Sequence, residues 1–187
     1  MEQRLSLREL SETDIPFITD YWLNSEPDFM RGMGVALEKL PSRAQWEQML
    51  EAQLSQPYEE KQSYCLVWLI DGRPSGHCNV NKIVYGEEAY MHLHLWQQET
   101  RKKGAGRELV RLSIPHFFEK LRLKKLYCEP YALNPAPNKT LPLLGFRLVR
   151  TYVTTPGFIC FEQPVCLWEL TSGQWSARQH LLPPGKG

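Results

Sequence analysis

Two glycines, Gly104 and Gly106, stand inside the basic run Arg101, Lys102, Lys103 and Arg107, in the stretch LHLWQQETRKKGAGRELVRL. An apolar alternating run precedes them and a helix-like run follows. Glycine at such a handover lets the backbone take unusual angles and lets a ligand approach with no Cβ in the way. The first N–H groups of a helix lack internal partners, and the helix dipole adds partial positive charge there. With Ala105 between the glycines, residues 101–107 have the makings of an anion site suited to phosphate. From Arg101 to Lys125, nine Lys or Arg stand against two Glu, a local balance of +7 in a chain whose formal net charge is +1. The spacing excludes two nucleotide loops: no GKS or GKT follows at the Walker position, and Leu109 occupies the place of the third glycine of GxGxxG.

Acid–base chemistry has three candidates. His92 and His94 lie in YMHLHLW. Strand alternation puts Tyr90, His92, His94 and Trp96 on one face, and Met91, Leu93 and Leu95 on the other, toward a core. Imidazole titrates in the range a proton acceptor needs near neutral pH. Glu129, at the end of the later run KKLYCEP, is the third. A metal centre built from His92, His94 and Cys78 lacks a clear fourth ligand, so no metal is expected. Cys128 has no histidine placed in sequence to form a thiolate pair.

The elements that must position these residues follow from pattern. RLSLREL alternates and reads as a first strand. Ser11 with Asp14 makes a capping box that opens a helix to about Leu23. The segment NSEPDFMRGMGVALEKLP is read as irregular. Ser42 with Gln45 caps a second helix, on which Trp46, Met49, Leu50 and Leu54 follow the helical period, and Pro57 stops it. YCLVWLI, SGHCNVNKIVY and AYMHLHLW, joined by short turns, read as an antiparallel meander. After Trp96 the pattern becomes helical, with Pro115 expected to kink the helix or end it early. KKLYCEP, a short helix in NPAPNKTLPLLGF, and the strands RLVRTYV and FEQPVCLWEL complete the order. The expected fold is α+β, or mixed α/β, around one sheet. Residues 1–175 form one domain and 176–187 a flexible tail in this reading.

The glycine loop and the later stretch belong together. Arg101-x-x-Gly104-x-Gly106 resembles the [QR]xxGx[GA] loop of the GCN5-related N-acetyltransferases (GNAT). NPAPNKTLPLLGF resembles that family's NxxSNRxLxxLGF signature, in its RimJ/RimL-like branch, with Asn134, Asn138, Lys139, Leu141, Leu144, Gly145 and Phe146 in register. The clear resemblance spans roughly Ala89 to Tyr152. It implies a mixed, mostly antiparallel sheet flanked by helices and splayed open between the strand ending at Trp96 and the strand ending at Glu129. It implies acetyl-CoA as cosubstrate, its pantetheine arm paired with backbone near Leu95, Trp96 and Gln97. Its pyrophosphate would rest on Arg101, Lys102, Lys103, Gly104, Ala105, Gly106 and Arg107. Asn134 would hold the pantetheine arm, Asn138 belongs to the same signature, and Lys139 would lie near the phosphates. The polarising backbone donor would come from Leu95 or Trp96. Two departures stand out: Pro137 replaces a small hydroxyl residue, and Leu141 stands where many members carry a tyrosine that protonates the departing thiolate.

The implied activity is direct transfer of an acetyl group to a primary amine, either a protein N-terminus or a small molecule. A catalytically silent acyl-CoA-binding module is the alternative. RNA binding through the 101–125 patch is disfavoured by the near-neutral total charge and by the lack of interleaved aromatics. At 42% hydrophobic the chain can build one core, and a charge of +1 argues against a general nucleic-acid or membrane-surface binder. Cys65, Cys78, Cys128, Cys160 and Cys166 form no CxxC pair and sit in apolar runs, so buried free thiols in a reducing cytoplasm are expected. No signal-peptide pattern or membrane span is read. The expected partners are acetyl-CoA and an amine acceptor, with the protein a monomer or homodimer.

Overall fold

The computed structural model describes residues 3–97 and 104–181. One seven-stranded sheet, ordered β1-β2-β3-β4-β5-β7-β6, runs through it. Its strands are β1 (Leu5–Glu9), β2 (Ser63–Ile70), β3 (Arg73–Val84), β4 (Glu88–Leu95), β5 (Lys125–Cys128), β6 (Arg147–Thr154) and β7 (Gln163–Thr171). All neighbours are antiparallel except β4 and β5. The helices are α1 (Ile15–Asn24), α2 (Pro27–Gly32), α3 (Arg43–Ala52), α4 (Ala105–Lys120), α5 (Pro135–Leu143) and α6 (Ser172–Leu181). The mixed α/β architecture and the β2-β3-β4 meander are those expected.

Two cores form on the two faces of the sheet. Leu109, Val110, Ile114 and Phe117 of α4 pack on Leu66, Trp68, Cys78, Val80 and Met91, and Leu93 and Leu95 join them. On the other face α1, α2 and α3 bring Ile18, Tyr21, Trp22, Met30, Trp46 and Leu50 together, with Trp96 against them. The alternation read in YMHLHLW therefore holds, with the odd-numbered residues on the α4 side.

The capping boxes form as expected. Asp14 accepts from the Ser11 amide at 2.9 Å and from Arg8 Nη2 at 2.7 Å, which buries the carboxylate with every charge matched. Ser42 and Gln45 bond reciprocally at the start of α3. Of the apolar positions read on that helix, Met49 is 41% exposed at the rim of a cavity.

The structure differs from the sequence reading, or adds to it, at three places. The segment after α1 contains α2 and a 3-10 turn at Leu37–Lys39 rather than irregular chain only, with Pro27 at the first helical position, where its missing N–H costs nothing. Pro115 does not end α4, which continues to Lys120. The helical bond lost there is offset by burial of Ile114, Phe117 and Phe118 on either side of the proline. The chain is also helical beyond residue 175, through Leu181. Thr171 and Gln174 form a reciprocal cap, Trp175 is buried in the α4-side core, and Arg178 Nη2 donates to the Leu143 carbonyl at 2.7 Å. The T-S-G-Q spacing was the legible signal for that helix. Of the cysteines, all free, Cys65, Cys78 and Cys128 are buried, whereas Cys160 and Cys166 are only half-buried. Among the described residues no helix is long and apolar enough to cross a membrane.

Candidate active site in a split sheet

Among the described residues β4 and β5 are the only parallel pair, and they stay together for just three residue pairs: Glu88 with Lys125, Ala89 with Leu126 and Tyr90 with Tyr127. Beyond these, β4 continues along β3 to Leu95, while β5 ends at Cys128 and stays with β7. A parallel connection needs a crossover, here α4, and the sheet opens on the side where α4 begins. The split sheet that the resemblance implied is present.

Helix α4 starts from Gly104, whose backbone is left-handed at φ 76°, a conformation other residues adopt at a cost. A Cβ built there would meet nothing within 4 Å, so the position faces open space. One built on Gly106 would come 3.1 Å from Leu95 Cδ1, so the helix start lies tight against the end of β4. Ala105 packs in the core, leaving only its backbone for a ligand, and Arg107 is exposed. Arg101, Lys102 and Lys103 lie outside the described residues. The far end of the basic run is partly neutralised from other elements, Lys124 by Glu87 at 2.5 Å and Lys125 by Glu169 at 3.3 Å.

A cavity of about 510 Å³ opens at the split, between β3 and β4, the α1–α3 helices and the 156–160 loop. His92, His94 and Glu129 all line it, so the fold brings the three acid–base candidates together. His92 Nε2 lies 2.9 Å from Asn81 Oδ1 on the neighbouring strand. Burial, helped by the charge of Lys82, pushes its pKa down to about 4, so it is a neutral imidazole at pH 7. The Asn81 carbonyl accepts, which leaves the proton on Nε2 and the lone pair on Nδ1. His94 Nδ1 is 3.1 Å from the Tyr21 hydroxyl, and its ring stacks on His77 at 4.7 Å. Glu129, with a side chain 6% exposed, accepts from the Tyr152 hydroxyl and lies 3.9 Å from Lys82 Nζ. Burial raises its pKa, against the lowering effect of Lys82 and Arg150.

His77 is the residue that sequence reasoning missed. It pairs directly with His94 across β3 and β4, and its Nδ1 accepts from Trp96 Nε1 at 2.8 Å. Burial, and secondarily His92, pushes it down to about 3. Only the strand register could have revealed this pairing. Among the described residues no three His, Cys, Asp or Glu are grouped to hold a metal.

The strand β5 leads into a loop and α5, where Asn134 caps the helix by accepting from the Ala136 amide at 3.3 Å. Asn138 is engaged inside the protein: its Nδ2 donates to the Tyr131 and Asn134 carbonyls at 2.9 and 2.8 Å, and its Oδ1 accepts from Trp168 Nε1 at 2.9 Å. It shapes the loop that carries Tyr131 and Asn134 to the cavity. Lys139 is exposed. Leu141 is completely buried in the α4-side core. The Trp96 amide, a candidate polarising donor, bonds the Ser75 carbonyl at 3.0 Å instead.

A sheet split between a parallel pair, beside a glycine-initiated helix, is the architecture of the GNAT fold. The chain belongs to the acetyltransferase (GNAT) domain family, whose profile matches residues 4–147. The fold is similar to that of spermidine N-acetyltransferase from Vibrio cholerae in complex with CoA and spermine, at 20% identity and a TM-score of 0.75, over 92% of this chain and 98% of that one. It is similar to RimL, the ribosomal L7/L12 alpha-N-protein acetyltransferase in complex with coenzyme A, at 12% identity and 0.73, over 89% and 93%. An aminoglycoside acetyltransferase in complex with coenzyme A follows at 17% identity and 0.72, over 94% and 99%. No curated protein matches the sequence.

Proposed function

We propose that the protein transfers an acetyl group from acetyl-CoA directly to a primary amine. The observation that carries this reading is the split between β4 and β5 with Gly104 and α4 at its edge, opening on a cavity that holds His92 and Glu129. The pantetheine arm would enter the split as an added strand along Leu95–Gln97, held on the far side by the Asn134 loop. The pyrophosphate would rest at residues 101–107, where glycine admits it and the helix N-terminus favours its charge. The Leu95 amide would polarise the thioester carbonyl.

The chemistry then runs in one displacement. The amine lone pair forms the C–N bond at the carbonyl carbon, and the C–S bond breaks. The nitrogen of the adduct is far more acidic than the free ammonium, so a weak base suffices to take its proton. His92 presents a neutral imidazole for this, with Nδ1 as the acceptor. Glu129 supplies the negative charge that draws the incoming ammonium, which gives up its first proton to water before the lone pair attacks, so that His92 takes only the second, from the adduct. His94 is held by Tyr21 and His77 and serves as the wall beside His92. Leu141, buried in the core, offers no proton to the thiolate. The thiolate is a stable leaving group and takes its proton from water or from Tyr131, which lines the cavity.

Calorimetric titration with acetyl-CoA, followed by thiol release on adding amines, tests the reading. Saturable binding of acetyl-CoA and amine-dependent thiol release are expected. Binding without release to any amine would instead favour the silent acyl-CoA module, for which the missing hydroxyl at position 141 is the supporting observation.

A further inference from the structure

We infer that the acceptor is a small monoamine carried on an apolar body, rather than a polycation or a polypeptide; this rests on the acetyltransferase reading above. Two independent features carry it. The first is the charge inventory of the cavity. Among its described lining residues Glu129 is the only one with a formal charge. That carboxylate already takes a hydrogen bond from Tyr152 and faces Lys82, so it can answer one cation. The lining combines uncharged polar side chains, among them Gln53, Gln62 and Asn79, with an apolar group made of Ile18, Trp22, Met33, Trp46, Met49 and Phe158, and none of these carries a carboxylate. Trp22 and Trp46 stack at 5.2 Å, and Phe158 leans on Trp46 at 6.3 Å. A second ammonium would lose its hydration against these rings with no carboxylate to replace it. An alkyl or aryl body would instead displace water from apolar surface.

The second feature is a strap across the acceptor side. Val35 and Cys160 form an antiparallel bridge, joining the segment after α2 to the loop between β6 and β7. The Ala36 amide donates to the Ile159 carbonyl at 2.8 Å, Lys39 Nζ to the Cys160 carbonyl at 2.9 Å, and Gln163 Nε2 to the Gly34 carbonyl at 2.9 Å. Gly34 has φ 91°, and a Cβ there would run into the Gln163 side-chain amide, so a side chain at this crossing would be strained and would displace Gln163. Met33, Val35, Ile159, Cys160 and Gln163 of the strap line the cavity. A polypeptide acceptor must carry its chain onward past the first residue. The two loops bond to each other beside the cavity, and in this inference that crossing bounds the acceptor side and stands in the way of an onward chain.

The test compares kcat/KM for thiol release from acetyl-CoA with phenethylamine, hexylamine, spermidine, kanamycin and a Met-initiated hexapeptide. The two monoamines are expected to exceed the others by at least about 100-fold, the order set by one unmatched buried charge. Phe158→Ala, at a position 62% exposed and so safe for folding, should raise KM for phenethylamine about tenfold and leave acetyl-CoA affinity unchanged. Met49→Glu adds an acid at the rim and should raise kcat/KM for spermidine severalfold. Preference for spermidine, kanamycin or the peptide overturns the inference while leaving acetyl transfer intact. A protein that binds no acetyl-CoA removes the acetyltransferase reading, and quenching of the cavity tryptophans then decides the pocket separately. Saturable quenching by phenethylamine but not spermidine supports the assigned chemistry, and no quenching, or quenching by spermidine, overturns it.

Discussion

The His92 imidazole is tied through Nε2 to Asn81 Oδ1 at 2.9 Å, which turns its other nitrogen into the acceptor. Because burial holds its pKa at about 4, His92 is already deprotonated throughout the neutral range. His92→Ala should therefore lower kcat by about 100-fold or more with unchanged acetyl-CoA affinity. The wild-type rate should show no titration step near pH 6.5. Retention of full kcat from pH 6 to 9 in the variant would remove His92 from the mechanism.

Glu129 titrates above the ordinary carboxylate range because it is buried, and Lys82 restrains that rise. Removing the cation disfavours the carboxylate further. In Lys82→Met the acidic limb of kcat/KM should move to higher pH, and in Glu129→Gln it should vanish along with most of the affinity for the amine. A pH–rate profile for each variant checks this, and an unmoved limb in Lys82→Met counts against Glu129 as its source.

Gly104 combines a left-handed backbone with open space at the start of α4. Gly104→Asp should abolish acetyl-CoA binding, because it sets a carboxylate where the pyrophosphate is expected. Gly104→Ala should cost about 1 kcal/mol in stability from backbone strain and leave much of the binding. Calorimetry on the two folded variants separates charge from strain.

Asn138 makes three hydrogen bonds that hold the loop before α5. Asn138→Ala should destabilise the protein by about 2–4 kcal/mol, at about 1 kcal/mol per bond with the half-buried Trp168 donor left unpaired. It should also raise KM for acetyl-CoA by displacing Asn134. Urea unfolding and steady-state kinetics on the same preparation test both effects.

His77 carries a stability signature. Its folded pKa of about 3 lies below the unfolded value of 6.5, so in that window the unfolded chain holds a proton that the native one does not. Stability is then complete above pH 6.5 and falls as pH drops, by about 1.4 kcal/mol per pH unit from this group. His77→Gln keeps a polar partner for Trp96 but cannot titrate. Between pH 6.5 and 5 it should lose about 2 kcal/mol less than the wild type in urea unfolding. Parallel losses would show that His77 does not drive the acid sensitivity.

What the sequence determined by itself was local. Period and caps located the strands, α1, α3 and α4, since a capping box or an alternating run needs only neighbours a few residues away. The pairing of a glycine-rich basic loop with NPAPNKTLPLLGF pointed to the family, and alternation alone put His92 and His94 on the face away from α4. Tertiary structure decided whatever depended on distant partners. Strand register brought His77 onto His94, and packing carried α4 through Pro115. Asn138 turned inward because Trp168 lies beside it, and Trp96 lost its amide to Ser75. The strap between Val35 and Cys160 joins residues far apart in the chain, and no local pattern encodes such a contact. Hydrogen bonds and desolvation act through space, so the chemistry of the cavity was settled only when the sheet assembled.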